Sequence, residues 1–390
     1  MLPFPIEEYR ERVQRTKQRM AQEEIEVLII TDPSNMNYLT GYDGWSFYVP
    51  QVVVVAQDED EPLWIGRKMD LNGARSTTWL QPDNLYAYSD HYIHSDKRHP
   101  MDFVAHVMKE RELDRWTIGL KMDSYYFSPQ AYEVLRADLR HATFRDFERL
   151  VPWVRAVKSQ REIHYMRQAG QICERVMQVG VDSVRPGVRQ CDAVANIYHA
   201  QISGTPEFGG DYPAIAPMLP TGRHTSTPHL TWTDQPFVRD EATILEIAAC
   251  RLRYHCPMAR TVYLGKPPVK LRNTAEIVVE GVEAALEMMR PGVTCEEVEA
   301  AWQRTINRHG LYRNSRLGYS IGLNYPPDWG EHTMSLRPGD RTVLEPDMTF
   351  HVIAGIWQDE PGFELSESVR ITDGAVEHFT HFPRQLLIHD

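Results

Sequence analysis

Glu246 stands in TILEIAAC, with apolar residues on both sides. A carboxylate in such a run is costly unless it has a partner or a task, so Glu246 is a candidate base or counter-charge. His255, nine residues on in LRYHCP, is a reserve for the same pocket. Tyr254, His255 and Cys256 suggest a metal pair at first sight, but neighbouring strand residues point to opposite faces, so no metal site is expected there. The polar loop PTGRHTSTPHLTW holds two histidines, and His229 follows Pro228, which restricts the backbone before it. An imidazole held in a cleft is the natural proton shuttle near neutral pH; a surface histidine is the other reading. In GFELSESVRIT, Glu364 and Glu367 straddle a short strand. A period of two sends them to opposite faces, so one of them is expected in a cleft. Asp211 follows two glycines in FGGDYP, where backbone can approach closely, and it is a candidate acceptor for substrate N–H groups or else a turn residue. Tyr42, Trp45 and Phe47 lie in the aromatic segment GYDGWSFYVP; they can line a pocket for a cation or pack into a core.

Two sets of elements must position these residues. Residues 6–23 are charged and helix-favouring, and EVLIIT, VVVVA, EPLWIG and TIGLKM read as strands, with further helices at 101–112 and 129–140. That alternation predicts a small α/β domain over residues 1–157. A long amphipathic helix beginning just after Lys158 opens the second domain, residues 158–390. Here a weak repeat is visible. Helix, RPGV and a second helix recur, with the RPGV copies starting at Arg185 and Arg290. The spacing suits one domain built from two related α+β halves with a site between them. Residues 243–265 read as two short strands around a turn, and residues 318–372 as a strand-rich tail.

The 390 residues are 42% hydrophobic and 25% charged, an ordinary globular composition that excludes disorder and collagen-like or coiled-coil structure. A formal charge of −12 gives no general attraction to nucleic acid or anionic membrane. No apolar run approaches a membrane span, and the N-terminal segment lacks the basic-then-apolar pattern of a secretory signal. Five cysteines without CxxC spacing read as reduced thiols. A cytoplasmic enzyme or ligand binder is expected.

The segments VKSQREIHYMRQA, the two RPGV helices, the histidine loop, ARTVYLG and GYSIGL occur in an order that resembles the pita-bread superfamily of methionine aminopeptidases, Xaa-Pro dipeptidases and creatinases. The likeness covers essentially the whole chain. It implies a creatinase-type α/β domain followed by a pita-bread domain of two pseudo-symmetric halves. The metallopeptidases of that superfamily hold two ions with Asp, Asp, His, Glu and Glu; the matching positions here are Glu246, Pro257, Tyr319, Ile353 and Ser366. Proline and isoleucine offer no ligand, so neither a metal nor another cofactor is expected. In creatinase a histidine does the proton work, and that role carries over to His229. The glutamate that creatinase has before the Arg-Thr pair is Ala259 here, which argues against creatine as substrate.

Longer segments, among them TDPSNMNYLTGYDGWSFYV, FGGDYPAI, EIAACRLRYHCPMART and NYPPDWGEHTMSLRPGDRT, are similar to the ectoine hydrolase family. GRKMDLNGARS departs from that family's pattern. The resemblance implies hydrolysis of the cationic cyclic amidine of ectoine to N-acetyl-2,4-diaminobutyrate. Glu246 would pair with the ring or activate water, and His229 would protonate the leaving nitrogen; direct attack by a carboxylate is the other route. Tyr42, Trp45, Phe47, Asp211, Glu364 and Glu367 would hold the substrate. The creatinase likeness further implies a homodimer in which the GYDGWSFYVP segment closes the neighbouring pocket. Alternatives are a creatinase-like amidinohydrolase on another small cationic solute and a non-catalytic pita-bread protein that binds peptides.

Overall fold

The computed structural model describes residues 2–147, 149–357 and 361–389. It comprises two compact units, Met1–Arg155 and Ala156–Asp390. No helix among the described residues is long and apolar enough to cross a membrane.

The first unit is built on strands β1 (Val27–Ile30), β2 (Val52–Ala56), β3 (Leu63–Arg67), β4 (Leu85–Tyr88), β5 (Thr117–Leu120) and β6 (Thr143–Asp146). They form one mixed sheet in the order β4-β3-β2-β1-β5-β6. Its helices are α1 (Ile6–Gln22), α2 (Pro33–Thr40), α3 (Leu71–Thr77), α4 (Pro100–Glu110), α5 (Pro129–Asp138) and α6 (Leu150–Val154). VVVVA is buried at every position, as a strand covered on both faces must be. α1 is charged overall, yet its stripe Tyr9, Val13 and Met20 is buried. The strands β4 and β6 are additions to the sequence reading. β6 is the edge strand TFRD, largely exposed and without alternation to betray it.

In the second unit, helices α7 (Gln160–Ser183) and α8 (Gln190–Ser203) precede strands β7 (Ala242–Arg251) and β8 (Tyr254–Leu264). Helices α9 (Val269–Met288) and α10 (Cys295–Asn307) precede β9 (Gly318–Ile321), β10 (Gly330–Leu336), β11 (Thr349–Ile356) and β12 (Phe363–Arg370). Two short strands, β13 (Glu377–His378) and β14 (Leu387–His389), complete sheets of order β10-β9-β11-β12-β13 and β14-β8-β7. β7 and β8 are not short: they run 10 and 11 residues and are buried almost throughout. The RPGV turns match bond for bond. The N–H of Gly187 donates to Phe237 and that of Phe237 to Val188, while Gly292 donates to Leu344 and Leu344 to Val293. Both glycines hold φ near +88° (87° and 88°), which a side chain would resist.

The β7–β8 hairpin turns through Leu252 and Arg253, both left-handed at φ 49° and 69°. Such two-residue turns favour Asn-Gly, so these residues are held by their surroundings. The Arg253 N–H donates to Asp211 at 3.4 Å, the Asp211 N–H to Cys250 at 2.8 Å, and the Asn324 N–H to the Arg253 carbonyl at 2.9 Å.

Candidate active site

β7 carries Glu246 opposite Ala259 of β8. β8 meets β12 of the other half through side-chain hydroxyls instead of a backbone ladder. Thr261 donates to the Glu364 carbonyl and accepts from the Glu364 N–H, both at 2.9 Å, and the Ala259 N–H donates to Ser366 Oγ at 2.7 Å. These bonds bring Glu364 within electrostatic reach of Glu246, from a strand more than a hundred residues away.

The two carboxyls share an apolar setting. Burial, and then the neighbouring Glu364, push Glu246 well above the usual carboxylate range. Burial likewise pushes Glu364 up to about 7, against the opposing Trp357 hydrogen bond and the Arg313 charge. Trp357 Nε1 donates to Glu364 Oε2 at 2.9 Å, while the buried Oε1 has no hydrogen-bond partner among the described residues. The Glu246 side chain has no hydrogen-bond partner among the described residues. Arg313 lies over the Trp357 ring at 4.8 Å and is tied to the Ile353 and Arg316 carbonyls at 2.6 and 2.7 Å. The pair is thus rich in acceptors and poor in donors.

A second network lies against it. Tyr319 Oη receives Trp329 Nε1–H at 2.7 Å and lies 3.0 Å from His351 Nδ1; His351 Nε2 lies 2.7 Å from Ser366 Oγ. Burial, and then the Arg316 charge, take His351 down to about 3, so its ring is neutral. Arg316 itself is exposed, with its guanidinium 4.2 Å over the Tyr319 ring and no carboxylate at salt-bridge distance among the described residues, though its charge reaches Asp328.

Of the residues expected from sequence, the structure brings Glu246 and Glu364 together. Glu367 is a correction: it faces the other way, where Arg260 Nη2 reaches it at 2.6 Å in a buried ion pair. His255 is another. The Ala214 N–H donates to its Nε2 at 2.8 Å, so Nδ1 bears the proton and donates to the Arg253 carbonyl at 2.9 Å. With both nitrogens spent on backbone and burial taking it down to about 4, it fastens a loop and offers nothing to a substrate. Asp211 holds the hairpin turn described above. Tyr42 is also corrected: it is buried in the first unit, bonded to Ser46 at 2.6 Å and packed on Trp64 at 5.2 Å. Trp45 is 58% exposed and stacks on half-buried Phe47 at 4.7 Å, near exposed Tyr48 and Tyr125. His229 is exposed and forms no hydrogen bond with a described residue. Its loop is nevertheless anchored beside Glu364, because Thr225 Oγ1 receives the Gly362 N–H at 2.9 Å.

The chain matches the sequence profile of metallopeptidase family M24 over residues 164–376 and that of the creatinase/prolidase N-terminal domain over residues 12–157. It is 48% identical to an ectoine hydrolase of Halomonas elongata over 99% of this chain and 98% of that one. The chain belongs to the M24 family. An uncharacterized hydrolase/peptidase of Sinorhizobium fredii is 45% identical over the full length of both chains. The fold of this M24 member is the pita-bread fold of solved relatives. A prolidase from Thermococcus sibiricus superposes with TM-score 0.84 at 19% identity, covering 98% of this chain and 99% of that one. An X-Pro aminopeptidase from Thermotoga maritima gives 0.81 at 20% identity, covering 97% and 99%.

The family's two-ion centre does not fit this M24 chain. Pro257 and Ile353 have no ligating atom, and Ser366 Oγ is already engaged by Ala259 and His351. Among the described residues no group of three or more His, Cys, Asp or Glu side chains is arranged to hold a metal. His351, Arg313 and Trp357 escaped the sequence reading. His351, a polar ring in the apolar run MTFHVIAG, bore the same signal that singled out Glu246.

Proposed function

We propose that this protein hydrolyses the cyclic amidine ring of ectoine to N-acetyl-2,4-diaminobutyrate without a metal ion. One observation carries the reading: two adjoining buried carboxyls, with Glu364 Oε1 unpartnered and Glu246 without a hydrogen bond among the described residues. A buried acceptor left unpaired is costly, and a cation bearing two N–H donors is its complement. The cyclic amidinium of ectoine has that form. The 48% identity to an ectoine hydrolase over nearly the whole chain supports the same substrate.

The amidinium carbon is already electrophilic. Water oxygen bonds to it and gives one proton to Glu246; the bond from carbon to one ring nitrogen then breaks, its electron pair staying on nitrogen, which takes up that proton, and the proton left on the added hydroxyl passes to the same nitrogen as the amide carbonyl forms. The net reaction consumes one water and turns amidinium into amide plus ammonium. Glu364 holds the ring cation, and His229, exposed on a loop anchored beside Glu364, exchanges protons with solvent. Arg316, beside Tyr319, meets the substrate carboxylate. Direct attack by Glu246 gives an acyl-type adduct instead; a mass increment on the Glu246 peptide after rapid quenching identifies that route. The protein acts as a homodimer, with exposed Trp45 and Tyr48 and half-buried Phe47 covering the second copy.

The decisive experiment is turnover of ectoine after exhaustive chelation, with creatine as the control substrate and products followed by NMR. Ring opening of ectoine alone, undiminished by chelator, is expected. Loss of activity that returns with added divalent metal overturns the metal-free reading, and no reaction with ectoine overturns the substrate.

A further inference from the structure

The donors and acceptors around Tyr319 can be assigned one proton at a time. Ser366 Oγ accepts the Ala259 N–H at 2.7 Å, and the acceptor in range of its own proton is His351 Nε2, also at 2.7 Å. If Nε2 carried the proton instead, the Ser366 hydroxyl would be left with a buried proton and no acceptor among the described residues, a costly state. Ser366 therefore donates to Nε2. A neutral imidazole with Nε2 accepting bears its proton on Nδ1, which donates to Tyr319 Oη at 3.0 Å. Trp329 Nε1 is a donor only, and it points at the same oxygen from 2.7 Å. Both lone pairs of Tyr319 Oη are then taken. What remains is its own O–H, which has no acceptor among the described residues.

The phenol lies within electrostatic reach of the carboxyl pair. After burial, the Glu246 charge has the largest effect in raising the Tyr319 phenol, so phenol and carboxyl are electrostatic neighbours. Tyr319 is part-buried, with some of its surface open to solvent. We propose that Tyr319 is a further catalytic residue: a hydrogen-bond donor, locked in that role by Ser366 and His351, to the oxygen that adds to the amidine carbon. This rests on the ring-opening reading above. As the added oxygen passes from water to amide carbonyl it gathers negative charge, and an oriented donor at that point lowers the barrier. The phenol keeps its proton throughout, so the atom balance of the hydrolysis is unchanged. Ser366 and His351 are positioning residues, since they act through the phenol.

The test has two arms. In steady-state kinetics, Tyr319→Phe is expected to lose about 10²–10³-fold in kcat, with ectoine binding by calorimetry held within about threefold. Ser366→Ala removes the donor to Nε2; the imidazole proton moves to Nε2, Nδ1 becomes an acceptor for the phenol, and kcat falls about tenfold, the value of one hydrogen bond. Ser366→Thr, which keeps a hydroxyl, restores it. The second arm needs no substrate: ¹⁵N NMR of His351 is expected to place its proton on Nδ1 in the wild type and on Nε2 in Ser366→Ala. A Tyr319→Phe protein with kcat within about threefold of wild type, or a wild-type His351 protonated on Nε2, overturns the proposal. A wild type that neither binds nor opens ectoine overturns the functional reading instead, while the NMR arm still decides the proton assignment.

Discussion

Glu246 and Glu364 are two acids placed where one charge is tolerable. Burial raises both, and the neighbouring Glu364 charge raises Glu246 further. A raised carboxyl is a stronger base when ionised, and it ionises only above its raised value. The kcat/KM of the free protein is therefore expected to climb with pH through an apparent value set by the pair, with Glu364 near 7. Glu364→Gln removes the like charge, so Glu246 ionises more easily and the limb moves to lower pH while KM for the cation rises. Glu246→Gln keeps the shape and removes the basicity; a loss of about 10²–10⁴-fold in ring opening is expected, with the fold and metal content unchanged. A residue retaining more than about a tenth of turnover at that position is no general base. Glu246 was legible in the sequence because the cost of a lone acid in an apolar run is local. Tyr319 and Ser366 were legible only as failed metal ligands, because their roles depend on His351 and Ala259, partners from other strands.

Between elements, Arg260 joins β8 to β12. It is fully buried, and its guanidinium holds the carbonyls of Ala259, Ser366, Phe382 and Pro383 as well as Glu367. The same hydrogen bonds therefore fix the spacing at which Ala259 meets Ser366. Arg260→Met leaves Glu367 buried with its principal partner gone, and a loss of about 3–5 kcal/mol in stability is expected by denaturant titration. Glu367→Gln should cost much less, since its neutral amide needs no counter-charge. The hairpin strands that lead into this clamp were read from sequence as short, because continuous buried runs such as ATILEIAACR and YHCPMARTVYL show no alternation to mark their length. The helices were read closely: α4 and α5 begin at Pro100 and Pro129, where proline pre-sets the first turn.

For the whole molecule, four buried groups set opposing pH dependences. His255 and His351 have folded values near 4 and 3, below the ordinary 6.5, so each contributes stability present above 6.5 and lost as pH falls toward the folded value. The first is worth roughly 3 kcal/mol and the second roughly 5 kcal/mol. Glu364 and Glu246 are raised above 4.5, so their contribution is present below 4.5 and lost as pH rises through 7 and beyond. Between 4.5 and 6.5 the two trends oppose each other, and a plateau is expected there with stability falling on both sides. Denaturant unfolding measured from pH 3 to 9 checks this against the variants, on the linkage of proton uptake to stability. The alkaline fall should flatten in Glu246→Gln and the acid fall should persist; a variant with an unchanged alkaline limb counts against the raised carboxyls.

The matching RPGV turns also bear on how the molecule can be divided. One half supplies Glu246 and Ala259, the other supplies Tyr319, His351, Glu364 and Ser366, and the join between them runs through Lys266 to Pro268, where Lys266 and Pro268 are exposed. Exposed joins tolerate breakage well. The gene could then be cut at this join into two separately translated pieces. Neither piece should turn over ectoine, and co-expression should restore activity by reassembly, because the buried hydroxyl bonds and the Arg260 clamp lie on the surfaces the pieces present to each other. Activity in either fragment alone would mean that the chemistry lies within one half.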